Sequence, residues 1–403
     1  PAIIAILAKI ALITLIDPSY ELFQYEKDGA IAVSAEYLFP VTTADVTTDF
    51  SDEQGRYIWR ALPAEVPVPA DNPMTPAKIK LGKKLFFDKR LSSDGSIACS
   101  SCHEVSRDKG GTDGEMITTG IKGKQGLRNA PTVLNAAFQR VLFWDGRAPS
   151  LEEQAKGPLL NPVEMGMPSL DVVQERLKVI PEYQQLFSDA FPGPEPVTSD
   201  NMVKAIASFE RTLITPESPY DRYIKGDEQA LSQQQIRGMA LFESTGCVSC
   251  HSGPTFTVAD SSGRRGAFRA FPAHSNKAYE TRYRLTEDAG LAGTGSGSRN
   301  GSGGRGVWRV PSLRNVSLTA PYFHNGSVDD LKEAIRIMAV MQLNKTISDN
   351  PLDDKQYYWS GRESNLQVVD NNALSEQEVD DIAAFLQSLT GDIDRVMART
   401  LGE

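Results

Sequence analysis

Apolar residues recur at helical spacing in two pairs of segments that resemble one another. Residues 78–87 and residues 238–242 each carry a glycine followed three and four positions later by Leu-Phe. Further along the chain, residues 205–213 match residues 381–389, and each segment has a phenylalanine at its centre. Apolar side chains at this spacing share one face of a helix, so all four segments are predicted to be helices, the last of which stops at Gly391. The chain therefore contains an internal helical repeat.

A further segment with helical spacing, residues 328–343, has acidic residues in its first turn, which suits the positive end of a helix dipole. It places Met338 and Met341 on one face, because side chains three positions apart are neighbours on a helix. On spacing alone, Met338 is as consistent with a packed core as with a metal ligand.

The part of the chain that precedes the repeat carries different signals. Residues 1–16 are apolar except for Lys9. A helix needs about 20 residues to span a bilayer, so this run is short for a membrane span. It also lacks the basic start of an intact signal peptide. An anchor, a partner-binding helix and a packed strand remain open for it. Residues 21–25 and 30–35 flank a Lys-Asp-Gly turn and predict a β-hairpin, and the proline-rich residues 63–76 predict a linker.

Composition and charge narrow the function classes. The chain has 403 residues, of which 40% are hydrophobic and 23% are charged, as in globular proteins, and its length suits two domains plus an extension. The 42 basic and 52 acidic residues give a net charge of −10. An acidic chain without a basic run is not expected to bind nucleic acid. It suits a soluble enzyme that meets a basic protein partner.

All four cysteines and half of the four histidines lie in two Cys-x-x-Cys-His pentads. This pattern is typical of c-type haem attachment, in which two thiols bond one haem and the next imidazole binds the iron. A redox dithiol needs no histidine after it, and a four-cysteine zinc site needs its halves closer together. Because haem is attached covalently outside the cytoplasm, a bacterial periplasmic protein is expected. The pentad residues are Cys99, Cys102, His103, Cys247, Cys250 and His251.

Helix, pentad, loops and a terminal helix with a buried aromatic residue follow one another in the order of a cytochrome c domain, and the order occurs twice. The predicted fold is therefore mainly α, with two cytochrome c-like haem domains, long loops and an N-terminal extension that contains the hairpin. We place the extension and linker at residues 1–71, the first domain at 72–228 and the second at 229–403. Within the second domain, the Gly/Ser-rich residues 289–307 predict a flexible surface insertion.

The sixth ligand of each iron decides between electron transfer and chemistry on a small molecule. His103 and His251 are predicted to supply one ligand each, and Met338 is a candidate for the sixth position of one haem. Residues 110–135, which follow the first pentad, contain Met116 but no histidine. The simplest inference is an open iron at the first haem, and hence an enzyme that receives electrons through its own second haem.

Four segments, together with the two pentads, resemble the bacterial di-haem cytochrome c peroxidase family: residues 128–138, 142–148, 151–167 and 310–338. The resemblance extends from about residue 76 to about residue 392 and includes the MauG-type di-haem oxidases as relatives. It implies reduction of hydrogen peroxide to water with electrons from a small c-type cytochrome or a cupredoxin. Two alternatives stay open: a MauG-like oxidase that modifies a partner protein, and a non-enzymatic di-haem electron-transfer subunit of a membrane-associated complex, docked through residues 1–16. Family members are commonly dimers, so the resemblance also implies a homodimer.

The resemblance implies a role for each matching residue of the first haem site. The haem on His103 is expected to be the peroxidatic centre. Glu164 is expected to be its distal acid and base, which moves a proton between the two oxygen atoms of peroxide. Gln154 and Pro158 are expected to line the same pocket, and Trp144 to lie between the haems and assist electron transfer.

For the second haem, on His251, the resemblance implies a high-potential centre with Met338 as the sixth ligand. MauG-type enzymes place a tyrosine at that position, so the methionine favours a peroxidase. The resemblance also implies a calcium ion between the domains. Its ligands are expected to be the Asn129 side chain and the carbonyl groups of Thr319 and Pro321, because Ca²⁺ prefers oxygen ligands.

One departure from the family pattern concerns activation. Many family peroxidases carry a histidine, in the loop before the Arg-Asn-Ala-Pro segment, that caps the peroxidatic haem until the enzyme is half-reduced. The matching position here is at or near Ile121. We therefore predict that the first haem is open in the oxidised protein and needs no reductive activation, a property shared with MauG-type proteins. Of the other histidines, His324 is expected near the haem–haem interface or a propionate, and His274 at the surface.

Overall fold

The computed structural model describes residues 57–260, 267–294, 305–350, 356–359, 366–369 and 373–401. The apolar run at residues 1–16 and the predicted hairpin at residues 21–35 lie outside these ranges, as do residues 295–304 of the Gly/Ser-rich stretch. Within the ranges, none of the helices has both the length and the apolarity that crossing a bilayer requires.

The described chain is mainly helical, which confirms the predicted class. Its α-helices are α1 (Pro76–Phe86), α2 (Cys99–Cys102), α3 (Leu151–Leu160), α4 (Leu170–Lys178), α5 (Pro181–Ala190), α6 (Ser199–Glu210), α7 (Pro219–Ile224), α8 (Gln233–Ser244), α9 (Lys277–Tyr283), α10 (Leu331–Met341), α11 (Glu376–Gln387) and α12 (Ile393–Leu401). Its strands are β1 (Phe268–Ala270), β2 (Val307–Arg309), β3 (Thr346–Ile347), β4 (Gln356–Trp359), β5 (Leu366–Val369) and β6 (Ala373–Leu374). They pair as antiparallel β1–β2, parallel β3–β6 and antiparallel β4–β5.

Local sequence accounts for the start of the last repeat helix but not for its end. Ser375 accepts a hydrogen bond from the Glu378 amide, and the Glu378 carboxylate accepts one from the Ser375 amide, so the capping box fixes the start of α11. The prediction that this helix extends to Gly391 is wrong, because α11 ends at Gln387. Gly391 instead packs so closely on Thr215 that a Cβ atom would overlap the Thr215 carbonyl oxygen.

The sequence repeat is also a repeat of packing. Helix α1 crosses α6 at Gly82, where an added Cβ atom would overlap the carbonyl oxygen of Ala205. Helix α8 crosses α11 at Gly238, where an added Cβ atom would overlap the carbonyl oxygen of Asp381. In each crossing a glycine lets two backbones approach closely, so the two helix pairs are equivalent. We call the described chain up to the end of α7 the first half and the described chain from the start of α8 onward the second half.

Three segments extend from one half of the chain to pack on the other. The ring of Trp59 lies 5.7 Å from that of Phe385 in the second half. Tyr220 of α7 belongs to the same buried apolar cluster. Conversely, Ile393 of the C-terminal helix α12 packs in a cluster with Phe86 of the first half. The start of the stretch before α1 therefore packs against the second half. Each half is completed by a segment that belongs to the other half.

Candidate functional site

The second pentad is positioned by the end of α8. Gly246 has a positive φ of 93° and turns the chain out of the helix. The His251 amide donates to the Cys247 carbonyl at 2.9 Å, and the buried His251 ring has its Nδ1 atom 3.1 Å from the Phe256 carbonyl oxygen. A proton on Nδ1 shared with that carbonyl leaves the Nε2 lone pair for a metal. Burial lowers the pKa of His251 to about 4, so the ring is neutral at pH 7.

A cavity of about 250 Å³, partly open to solvent, adjoins this histidine. Both thiols of the second pentad, the His251 ring and the thioether of Met338 lie on its walls, together with apolar side chains such as Phe242 and Leu386. This set of donors around an apolar space fits a covalently attached haem.

The first pentad adopts the same turn. Cys99–Cys102 forms the single turn α2, and the His103 amide donates to the Cys99 carbonyl at 3.0 Å, as in the second pentad. Burial lowers the pKa of His103, which keeps its imidazole neutral and able to bind a metal.

Burial favours the thiol form of three of the four pentad cysteines. Burial raises the pKa of Cys99 and of Cys102 to about 12, and that of Cys247 to about 11. Reactive cysteines instead have lowered pKa values, because the thiolate is the nucleophile. The environment of these residues therefore does not suit a redox dithiol.

Glu164 lies in the turn that follows α3. Asn161 organises this turn, since its side-chain Oδ1 accepts from the Val163 amide at 3.1 Å and its Nδ2 donates to Glu164 Oε1 at 2.6 Å. Burial raises the pKa of Glu164 despite the opposing effects of Arg147 and Asn161. The charge of Glu164 in turn contributes to the raised pKa of Cys102, which places the carboxyl within electrostatic reach of the first pentad.

The loop around Ile121 is docked against this turn. The Ile121 amide donates to the Glu164 carbonyl at 2.9 Å, and Lys124 Nζ donates to the Pro162 carbonyl at 3.1 Å. The Ile121 side chain is buried, and it lies so close to Gly166 that an added Cβ atom there would overlap its Cδ1 atom. A backbone bond and an apolar contact thus fix the loop to the Glu164 turn.

Gln154 and Pro158 occupy one face of α3, one helical turn apart. The Pro158 carbonyl accepts from the Met165 amide at 3.1 Å, which connects the helix to the Glu164 turn. Both side chains are partly buried. The structure therefore brings Pro158 next to the turn and Gln154 to the same side of the helix.

Trp144 and His324 line the cavity beside His251 together. Trp144 Nε1 donates to the Asn129 carbonyl at 2.8 Å, and the Asn129 amide donates to the His324 carbonyl at 2.8 Å. Asn129 thus connects the two aromatic residues through its backbone. His274 is exposed, as expected.

The three expected calcium ligands, Asn129, Thr319 and Pro321, also share the wall of this cavity. The side chain of Asn129 is buried, and its Nδ2 donates to the Glu115 carbonyl at 2.9 Å. This bond leaves Oδ1 as the Asn129 atom that could bind a cation. The donor set consists of neutral oxygens, which is compatible with Ca²⁺ but supplies no carboxylate.

Two buried residues near these sites, Trp308 and Glu210, belong to no sequence motif that predicts a functional role. Trp308 stacks on His324 with ring centroids 4.0 Å apart, and both rings line the cavity. Glu210, at the end of α6, is buried beside the first pentad. Aligning the two helical repeats singles out Glu210, because the first copy has an acidic residue where the second copy has the apolar Leu386.

Two partly buried pentads on a mainly helical scaffold define the class of di-haem c-type cytochromes. Residues 76–229 match the family model described as di-haem cytochrome c peroxidase. The chain is 39% identical over 327 residues to the cytochrome c551 peroxidase of Nitrosomonas europaea, covering 81% of this chain and 84% of that protein. It is 38% identical to the cytochrome c551 peroxidase of Pseudomonas aeruginosa, covering 91% and 92%. The chain therefore belongs to the di-haem cytochrome c peroxidase family.

MauG-type proteins are relatives as well. The methylamine utilization protein MauG of Methylorubrum extorquens is 34% identical, with coverage of 90% of this chain and 92% of that protein. Among solved structures, a MauG-like protein associated with microbial copper homeostasis is 32% identical, has a TM-score of 0.66 and matches 82% of this chain and 95% of its own. The diheme peroxidase BthA of Burkholderia thailandensis, 23% identical with a TM-score of 0.60 and coverage of 80% and 88%, shares the fold.

Proposed function

We propose that this protein is a di-haem c-type peroxidase that reduces hydrogen peroxide to water with electrons from a small electron-donor protein. The observation that carries the proposal is the asymmetry between the two sites. Met338 lies on the wall of the His251 cavity, whereas the partly buried carboxyl of Glu164 lies near the first pentad. A thioether suits an electron-transfer haem, and an acid–base group suits chemistry at an open one. The relatives named as cytochrome c551 peroxidases support this function.

In this proposal the chain forms two cytochrome c-like domains, at residues 72–228 and 229–403, after an extension at residues 1–71. Each domain holds one haem c through its own pentad. The equivalent crossings at Gly82 and Gly238 support the division. The packing of α7, at the end of the proposed first domain, on the second half supports a close contact between the domains at their boundary.

Glu164 would supply the proton transfer at the first site. A haem bound there provides the iron at which peroxide is reduced. Glu164 accepts a proton from one oxygen atom of peroxide and returns it to the other, which leaves as water. Two electrons from the donor and two protons from solvent would then convert the remaining oxygen atom to a second water. Asn161 holds the carboxyl in place by its 2.6 Å hydrogen bond, and Gln154 and Pro158 complete the pocket.

Trp144 would assist electron transfer from the second site to the first. His251 and Met338 are proposed as the two iron ligands of the second haem, which receives electrons from the donor. Trp144 lies on the wall of this haem's cavity, and its Nε1 bond to Asn129 fixes the ring. A methionine ligand raises the reduction potential, which suits an electron-accepting centre.

The proposed setting is the bacterial periplasm, because c-type haem is attached outside the cytoplasm. The proposed donor is a small c-type cytochrome or a cupredoxin, and the net charge of −10 suits a basic partner. A homodimer and a calcium ion bound by Asn129, Thr319 and Pro321 are part of the same proposal.

A MauG-like oxidase acting on a partner protein is the second candidate. It is favoured by the 34% identity to MauG and by Ile121, which places an apolar side chain where many family peroxidases have a histidine. Met338 favours the peroxidase, because MauG-type enzymes place a tyrosine there.

Spectra and turnover of the oxidised protein test the proposal. We expect one high-spin haem and one low-spin haem by electron paramagnetic resonance, and immediate peroxide turnover with a reduced small cytochrome. Two low-spin haems and activity only after partial reduction would contradict the open first site. Peroxide that oxidises the protein once, without further turnover, would favour the electron-transfer subunit. Rapid modification of a tryptophan-containing protein would favour the MauG-like oxidase.

A further inference from the structure

Glu210 is a buried carboxylic acid without a hydrogen-bond partner for one of its oxygen atoms. It is the last residue of α6, is 7% exposed, and has an Oε2 atom that makes no hydrogen bond within the described part of the chain. The neighbouring cation Arg211 is already paired with Glu152 by contacts of 2.8 and 3.2 Å. A buried carboxylate without a counter-charge is costly, so this environment favours the neutral acid.

The helical repeat shows what Glu210 faces. Ala205 and Asp381 are equivalent, because each carbonyl lies against the glycine of the crossing helix. Five residues further along each helix, Glu210 is therefore equivalent to Leu386, which lines the cavity beside His251. By this equivalence, we expect Glu210 to face the space beside the first pentad, and the preceding residue Phe209 packs in one apolar cluster with Cys99. The effect of Glu210 on the pKa of Cys99 agrees with this placement.

Few charges act on this carboxyl. Arg211 of the same helix lowers the pKa of Glu210, Glu152 of α3 raises it, and burial dominates and raises it to about 8. The buried Lys78 of α1 is a further cation of this half, but its ammonium group donates a hydrogen bond to the Asn72 side chain at 3.1 Å. A carboxyl in this state is mostly protonated at neutral pH, and a positive charge placed beside it would lower its pKa and favour ionisation.

We propose that Glu210 binds a proton when the first haem is reduced. One electron from the small donor protein removes one positive charge beside the carboxylate, and one solvent proton then binds Glu210. Only its O–H bond is formed, and no other bond changes. An ionised Glu210 stabilises the oxidised, more positive site, so its proton affinity rises on reduction. This inference rests on the proposed attachment of a haem at Cys99 and Cys102, but it does not require peroxide turnover.

The test is a spectroelectrochemical titration of each haem of the intact protein from about pH 5 to about pH 9. The midpoint potential of the first haem is expected to fall by about 59 mV for each tenfold decrease in proton concentration. This slope is expected at pH values between the pKa of Glu210 in the oxidised protein and its higher pKa in the reduced protein. At lower pH, Glu210 is protonated in both oxidation states, so the potential is independent of pH.

The variant Glu210→Gln keeps the shape of the side chain but binds no proton. We expect its first-haem potential to lose the slope and to stay near the low-pH value of the wild type. Glu210→Leu, which copies the second half, is expected to lose the slope as well. Glu153→Gln is the matched control, because it removes an exposed carboxylate from the neighbouring helix α3 and should leave the slope unchanged.

A wild-type slope in Glu210→Gln would overturn the proposal and assign the proton to another group, such as a haem propionate. A measurement on the wild type covers the case in which the variants do not fold. Its infrared difference spectrum on reduction of the first haem should contain the signal of a newly protonated carboxyl group, and absence of that signal overturns the proposal. Peroxide turnover measured on the same samples reports separately on the proposed function.

Discussion

Opposing neighbours set the proton affinity of Glu164. Burial raises the pKa of its carboxyl, whereas the charge of Arg147 and the hydrogen bond from Asn161 lower it. Burial has the larger effect, so the carboxyl is closer to neutrality at working pH than a solvated glutamate. A group that must both accept and return a proton works best in this range.

The pH profile of peroxide turnover should report this shift. The carboxylate is the form that accepts the first proton, so kcat/KM should fall as the pH decreases through the pKa of Glu164. Because burial raises this pKa, the fall should occur at a higher pH than for an ordinary glutamate, whose pKa is about 4.3. Glu164→Gln should lower kcat/KM by about 100- to 10,000-fold and remove this acidic limb from the residual activity. Glu175→Gln, which changes an exposed glutamate of α4, is the control. An unchanged profile in Glu164→Gln would assign the proton transfer to another group.

Met338 and Met341 lie one helical turn apart, but they differ in surroundings. Met338 lines the cavity of His251, whereas Met341 is fully buried in an apolar cluster. Met338→Ala should therefore lower the potential of the second haem by a substantial part of the about 0.8 V range that axial ligands span. Met341→Leu should leave that potential unchanged and cost less than about 1.5 kcal/mol of stability. The reverse pattern in a redox titration would assign the ligand to Met341.

At the scale of elements, two glycines determine how closely the repeat helices approach. At Gly82 and at Gly238, the partner helix presents a backbone carbonyl oxygen where a Cβ atom would lie, and a phenylalanine Cβ atom 2.9 Å away. A side chain cannot rotate away from such an overlap, because the obstacle is backbone. The crossings therefore fix the angle between helices that flank each pentad.

Gly82→Ala should consequently destabilise the protein although alanine favours a helix by about 1 kcal/mol. Overpacking usually costs about 1–3 kcal/mol, and contact with backbone belongs at the upper end of this range or beyond. Denaturant unfolding of the holoprotein measures the change. Gly126→Ala is the control, because an added Cβ atom there meets nothing within 4 Å. Equal stability of the two variants would show that α1 and α6 can separate at no cost.

The loop at Ile121 is a second element whose placement matters for the site. Its backbone bond to Glu164 and its contact with Gly166 hold it on the Glu164 turn. This docking gives a structural reason to expect that the first site is open in the oxidised protein, because the loop directs a buried apolar side chain onto the turn.

At the scale of the whole molecule, one buried and one partly buried charge pair join the two halves. Arg314 and Asp221 are completely buried and form an ion pair of 2.8 Å, and Asp221 also accepts from the Leu62 amide at 2.8 Å. Arg128 pairs with Asp288 at 2.7 Å. Such pairs add little net stability because of desolvation, but breaking one partner is costly, so they select one arrangement of the halves.

The proposed calcium ion would act at the same boundary, since Asn129 comes from the first half and Thr319 and Pro321 from the second. Chelation should lower the melting temperature by several degrees and slow electron transfer between the haems, because a ligand of the folded state stabilises it. Added Ca²⁺ should restore both properties and Mg²⁺ should not, since Mg²⁺ requires a tighter octahedral site. Calorimetry measures the melting temperature, and flash reduction measures the rate of electron transfer between the haems. The same melting temperature with and without chelator would contradict the site, and Asn129→Ala should abolish any response.

The sequence by itself determined the mainly helical class, the repeat and both pentads. Short-range patterns are sufficient for these features, because helical periodicity and a five-residue motif each lie within a few turns of chain. The peroxidase family could also be identified from the sequence, since each of its segments is a continuous stretch of residues that can be recognised without the fold. The roles of Glu164, Met338 and the calcium ligands came from the resemblance and remain proposals.

Only the tertiary structure decided where distant residues meet. It showed that Trp59 and α7 pack on the second half and that the Ile121 loop is fixed to the Glu164 turn. It also showed that Glu210 is buried and that its Oε2 atom has no hydrogen-bond partner in the described part of the chain. It also ended α11 at Gln387, because Gly391 is used for close packing on Thr215 rather than to stop the helix. Each of these features depends on residues far apart in sequence, and burial, backbone contact and desolvation exist only after the chain has folded.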